Sequence, residues 1–219
     1  MSSKYQPFQS LPPRKLLLHH RLILLASGVL SQMGWVFVAM GCFFVALFSA
    51  VFIVAEEGAL AESWSVLFTL IFPIVGGIMV AYSLKRNFKA VDLITNGKFA
   101  RGKIIEKRPT NTKINEQTVY EFTIEFVADN GRTYQVKSRT HHLPLLTDEE
   151  EELVLYAPAD PSLGVIFDAI PNAPKFVGNG EIAPPRIMQY FNLILPALGL
   201  SMFLLMLTTL FSISKIVFA

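Results

Sequence analysis

The polar positions of this chain are gathered into a few blocks. The apolar runs between them are long. Residues 22–55 contain no charged side chain. A helix of that length would measure roughly 50 Å, against a bilayer hydrocarbon core of ~30 Å. Trp favours the membrane–water interface, so Trp35 predicts the start of the core and 35–55 predicts one span. Residues 16–31 are expected to extend the helix into the headgroups. Their polar neighbours Lys15, His19, His20 and Arg21 do not share one narrow helical face, which argues against an amphipathic anchor. A second span is expected over 64–84, closed by Lys85 and Arg86 and interrupted by Pro73 and the Gly76–Gly77 pair. A third is expected over 187–213, kinked at Pro196. Gly77 with Ala81, and Ala197 with Ser201, have the small-residue spacing that lets helices approach closely. A signal peptide is the competing reading of the first run, but its apolar core is only about 7–15 residues.

The polar block between the second and third runs reads differently. Residues 87–98 predict a short helix with Ala90, Val91, Leu93 and Ile94 on its apolar side and Asn96–Gly97 as its stop. "FARGKIIEK" predicts a strand, with Gly102 permitting a bulge or close packing. "RPTNTKINEQ" predicts a polar loop. In "VYEFTIEFVADNGRTYQVKS", Tyr120, Phe122, Ile124 and Phe126 alternate with Glu121, Thr123 and Glu125. That alternation, with a turn at Asp129–Asn130–Gly131, predicts a β-hairpin with one buried face. "ELVLYAP" predicts another strand, ended by Pro158 and turned by residues 159–162. Residues 163–167 predict the next strand, and a proline-rich return follows Asp168.

The expected fold is therefore three transmembrane helices with a small all-β domain, a barrel or sandwich of about five strands, between spans 2 and 3. The expected divisions are 1–34, a cytoplasmic N-terminal segment with an interfacial helix; 35–86, a two-span hairpin; 87–186, the β-rich domain with its return; and 187–219, the third span and tail.

Composition sharpens this picture. Of 219 residues, 52% are hydrophobic and 16% charged, where a soluble domain carries about 25% charged residues. The net charge is +2. Residues 85–186 hold equal numbers of basic and acidic side chains, so nucleic acid is not an expected partner. Basic residues flank the first span on its N-terminal side, follow the second and precede the third, while the first loop, "EEGALAESW", is purely acidic. The positive-inside rule then places the N-terminus and the β-domain in the cytoplasm of a multi-pass cell-membrane protein, in the inner membrane if the host is Gram-negative. Only Lys215 dissents.

"NGKFARGKIIE", "VYEFTIEFVADNGRTY" and "LVLYAPADPSLGVIFDAIP" together resemble the bacterial domain-of-unknown-function family number 3592 over about residues 95–170. The resemblance implies a small β-domain beside a membrane and no catalytic residues. Ala157 departs from the family, which often has Asp there.

Candidate chemistry is sparse. His141 and His142 are adjacent, so on a strand they point apart, and they are expected to be solvated. The acidic run 148–152 is expected to be a solvated loop. Cys42 is the only cysteine and is expected to be a small buried residue. No nucleophile elbow and no phosphate-binding glycine loop is present in the sequence. No catalytic, cofactor or metal residue is expected. The expected function is non-enzymatic: a β-domain that binds a protein partner or organises a homo-oligomer at the lipid bilayer. The second reading is an accessory subunit of a membrane protease or other membrane enzyme.

Overall fold

The computed structural model describes residues 11–54, 67–114, 117–140, 151–177 and 181–217. The chain divides into two compact units, one of Met1–Leu24 with Lys89–Pro185, the other of Leu25–Phe88 with Arg186–Ala219.

The helices are α1 (Leu18–Ala26), α2 (Val29–Val54), α3 (Ile71–Asn96), a short α4 (Ile187–Tyr190) and α5 (Ile194–Val217). Three stretches, Val29–Val51, Leu67–Asn96 and Ile187–Ser212, are long and apolar enough to cross a membrane. The run from 16 to 55 is not one helix. It breaks at Gly28, whose φ of +95° is a left-handed conformation that a side chain would strain. Residues 87–96 are no separate helix either, because α3 continues through them.

In the helical unit, α2 and α3 touch backbone to backbone. A Cβ on Gly34 would stand 3.0 Å from the Gly76 carbonyl oxygen, and one on Gly76 would stand 2.7 Å from the Gly34 carbonyl oxygen. Gly41 lies against Pro73 in the same way. Gly77, expected to supply the close contact, faces open space, and Ala81 is exposed. Consecutive residues are about 100° apart around a helix, so only one of the two glycines can face α2. The third helix repeats the point. Ala197 and Ser201 are exposed, while Gly199 receives the ring of Trp35. Val38, Cys42, Val45, Ala46 and Met206 form the core of this unit.

Pro196 does not kink a continuous helix. A 3-10 turn, Phe191–Leu193, separates α4 from α5, and Pro196 sits in the first turn of α5. There its missing N–H costs least.

The other unit is a sheet of β1 (Lys98–Ile114), β2 (Gln117–Val127), β3 (Thr133–Thr140), β4 (Glu151–Tyr156) and β5 (Val165–Ile166). Its order is β3-β2-β1-β4-β5, and every neighbouring pair is antiparallel. The expected loop at 108–117 is largely strand: β1 runs to Ile114 and β2 starts at Gln117, with register shifts before Glu106 and after Pro109. Thr110 supports the extension by donating to the Val119 carbonyl at 2.8 Å. The expected strand over 163–167 shrinks to two residues, flanked by 3-10 turns at Pro161–Leu163 and Phe167–Ala169.

The sheet is curled, and no second sheet faces it among the described residues. A Cβ on Gly102 would stand 2.5 Å from Ile124 Cγ2 and 2.7 Å from Val154 Cγ2, so glycine allows the tight bend in β1. Gly164, just before β5, would with a Cβ stand 2.7 Å from Val136 Cγ1 of β3. The two edges of the sheet therefore meet through side chains. Phe122, Ile124, Phe126, Val136, Val154, Tyr156 and Ile166 fill the concave face.

One buried aromatic face was expected; there are two. Leu153 and Leu155 point away from Val154 and Tyr156 into a second core with Phe99, Phe167 and Phe176. Leu93 and Ile94 of α3 and Leu16 and Leu24 of the N-terminal segment complete it. On β2, Thr123 is buried as well, its hydroxyl 3.5 Å from a Glu106 carboxylate oxygen.

Phe122 is fully buried, whereas Glu121 lies on the other face, 3.8 Å from the Lys137 ammonium. Phe122→Ala is predicted to cost about 3–5 kcal/mol. Glu121→Ala is predicted to stay within about 1 kcal/mol. Denaturant melts of the full chain in micelles measure both, since the second core needs residues from both sides of the sheet sequence. Equal losses would show that the face assignment is wrong.

Candidate functional site

Some of the polar side chains that the fold buries, Arg14 and Asn87 among them, serve the carbonyls at helix ends. The first group surrounds Arg14, which is only 6% exposed. The last carbonyls of a helix have no partner within it. Arg14 meets those of α3: its backbone N–H donates to the Thr95 carbonyl at 2.8 Å, and Nη1 donates to the Ile94 and Gly97 carbonyls at 3.0 and 2.7 Å. A cation at a helix C-terminus also complements the helix dipole. The guanidinium carbon lies 4.5 Å from the centre of the Phe99 ring, which packs edge-on to Phe167 and Phe176. Burial pulls the Arg14 pKa down to about 10, so the group remains charged at neutral pH.

His20 holds the same N-terminal segment to the proline-rich return. Its Nε2 is 2.9 Å from the Ala183 carbonyl. A carbonyl only accepts, so Nε2 carries the proton. Nδ1 is buried with no partner among the described residues. Burial lowers the His20 pKa, the hydrogen bond to Ala183 partly opposes this, and neighbouring His19 lowers it further. The return is itself clipped by an isolated bridge between Phe176 and Ile182 and by hydrogen bonds Val177–Glu181 and Ala183–Lys175.

A second group lies in the helical unit. Asn87 Nδ2 donates to the carbonyls of Leu25 and Ser27 at 2.8 and 2.9 Å. Gln32 Nε2 donates to the Ala26 carbonyl at 2.6 Å and the Asn192 carbonyl at 2.9 Å. Leu25, Ala26 and Ser27 are the carbonyls released where α1 breaks. Asn192 is the residue four before Pro196, so its carbonyl has no backbone N–H to receive.

A third group joins strand ends. Lys98 pairs with Asp129, and the Asp129 N–H donates to the Tyr156 hydroxyl at 3.1 Å. The hydrogen bond with Asp129 raises the Lys98 pKa, and hydrogen bonds from Lys98 and then Tyr156 lower that of Asp129. Burial raises that of Tyr156. All three are held in their ordinary neutral-pH states, the opposite of what proton transfer needs.

His141, His142 and residues 148–150 lie outside the described residues. The end of the acidic run is not solvated loop. Glu151 starts β4 and is 3.4 Å from Arg101. Glu152 is 1% exposed and stands opposite Gly102 in the ladder. Strand alternation turns it inward, against the plain charge-run reading. Cys42 is buried in the helical core, as expected. No three His, Cys, Asp or Glu side chains group as a metal site among the described residues. Arg14, Asn87 and His20 carried no sequence signal beyond a basic or polar flank. A signal that could have found Gln32 is its place as an amide within the uncharged run 22–55.

The molecule thus has a definite class, three long apolar helices with a curled five-stranded antiparallel sheet. No family model, no curated protein and no solved structure matches the chain.

Arg14→Met should destabilise the chain by about 1–3 kcal/mol, because carbonyls at the end of α3 lose their donor. Limited proteolysis within the N-terminal segment, with unchanged helix content by circular dichroism, checks it. Because the folded state favours neutral His20, its contribution is present above the unfolded pKa of about 6.5 and is lost as pH falls below it. Protease protection of the segment should therefore drop on acidification, and less so in His20→Gln.

Proposed function

We propose that this is a non-enzymatic integral membrane protein whose small β-domain docks a protein partner or organises a homo-oligomer. The observation that carries the oligomer part of this reading is the pair of outward small-residue faces on the apolar helices. Gly77 and Ala81 on α3 are exposed, as are Ala197 and Ser201 on α5, while Gly34, Gly41, Gly76 and Gly199 make the contacts within the chain. Outward small residues permit close approach by another helix. The same proposal includes cytoplasmic placement of the N-terminus and β-domain, a bacterial cell membrane, and membership of family 3592. The polar residues described above serve helix ends and strand ends, which supports a structural reading over catalysis. An accessory subunit of a membrane enzyme is the alternative, and it would use the same outward helix faces.

With Cys42 replaced by Ala, a cysteine at Ala81 should form an oxidant-dependent dimer in membranes, and Gly77→Leu should abolish it. Crosslinking to a different membrane enzyme, with no self-dimer, would favour the alternative. Cysteines at Ser63 and Ser138 test orientation in intact cells. Only the first should react with an impermeant thiol reagent, and the reverse would invert the topology.

A further inference from the structure

We propose that the outward face of α1, with the residues leading into it, lies on the lipid surface and selects an anionic one. The proposal rests on the membrane reading above and adds which residues meet the lipid and of what charge.

α1 is apolar on two sides. Leu16, Ile23 and Leu24 are buried, with His20 between them. On the other side Leu17, Leu18 and Leu22 are 59%, 72% and 44% exposed, and Leu11 ahead of the helix is 82% exposed. Arg21 N–H donates to the Leu17 carbonyl at 3.2 Å, so Leu17 already belongs to the first turn. Leu17 and Arg21, and Leu18 and Leu22, are each one turn apart and share one side of the helix. Water gives this stripe nothing to bury against.

Charge narrows the occupant. Lys15 and Arg21 are exposed beside the leucines, and the chain has no acidic residue before Glu56. The matching surface is apolar within and negative at its rim, as an anionic leaflet is. Long basic side chains reach from an immersed backbone to the headgroups. Chain continuity favours lipid over a soluble groove. The first candidate span starts at Val29, seven residues after Leu22 and so within about 25 Å of it at full extension. A chain that enters the bilayer at Val29 keeps α1 within reach of the headgroups. The polar residues around α1 need not lie on one face for this, because the inner face is occupied by the β unit's core rather than by water.

The test uses the full chain with Cys42→Ala and a single nitroxide-labelled cysteine at Leu18, Leu22, Phe43 or Lys137. Phe43 faces outward on α2, and Lys137 is exposed on β3. The protein is reconstituted in phosphatidylcholine vesicles with or without phosphatidylglycerol. Power saturation then compares collisions with oxygen and with a water-soluble nickel chelate. Labels at 18 and 22 are expected to shift toward oxygen relative to 137 when phosphatidylglycerol is present. Lys15→Gln with Arg21→Gln should reverse that shift. Water-like labels at 18 and 22 with an immersed label at 43 would overturn the inference and leave the membrane reading standing. A water-like label at 43 would overturn the membrane reading itself. Equal immersion in both lipid mixtures, unaffected by the charge variant, would overturn the anionic preference. Spin–spin broadening at 18 or 22 would show a second copy on this face and overturn the lipid assignment.

Discussion

β4 is buried on both faces, and much of the β unit follows from that. Alternate residues of a strand point in opposite directions. With Leu153 and Leu155 on one side and Val154 and Tyr156 on the other, each side needs its own cover. The curled sheet supplies one by folding over Val154 and Tyr156. On the other side the sheet adds Phe99 of β1, paired opposite Leu155, and the rest must come from outside it. The chain meets that need with the end of α3, the segment around Leu16 and Leu24, and Phe167 and Phe176. Burying a large apolar side chain is worth ~1.5–3 kcal/mol, so this second core is comparable in kind to the first. A small β-domain excised between the apolar runs would lose part of it.

The cover has a cost at its seam. Bringing the N-terminal segment against the end of α3 removes water from carbonyls that have no helical partner. Arg14 is the answer to that problem, and the Phe99 ring beneath it keeps the guanidinium in a favourable, though dry, setting. Gly97 fits the same seam: a side chain there would press on the Tyr156 carbonyl oxygen 3.0 Å away. The stop read at Asn96–Gly97 is correct in place but not in mechanism. Gly97 makes no left-handed turn; it is small where strand and helix end crowd together.

What was legible in the sequence followed from period and from length. The alternation at 120–126 located the concave core, and uncharged runs located three helices. The failures have a common cause. Periodicity reports that a residue faces something, not what it faces. Gly77 and Gly76 carry the same local signal, and only the direction of the partner helix separates them. The run at 108–114 was polar enough for a loop, yet its backbone was extended by pairing with β2. Glu152 shows the same limit, since its place in β4 outweighed its place in an acidic run. The second core was invisible because its pieces, Leu16, Leu93, Leu153 and Phe176, are far apart in sequence.

The donor differs in kind between the two units: a charged side chain in one, neutral amides in the other. A helix end needs N–H groups, and either a cation or a neutral amide supplies them. In the β unit the donor is Arg14, whose charge is tolerated at the cost of a lowered pKa. In the helical unit the donors are the amides of Gln32 and Asn87. A neutral amide supplies N–H groups without a charge to desolvate. An amide also offers two N–H groups from one nitrogen, and both Gln32 and Asn87 use theirs on two carbonyls each. The freed carbonyls come from a glycine break and a proline, two backbone irregularities that apolar helices tolerate only where a side chain or neighbour completes the hydrogen bonding. Gln32 and Asn87 therefore satisfy carbonyls that the break at Gly28 and the proline at 196 leave free.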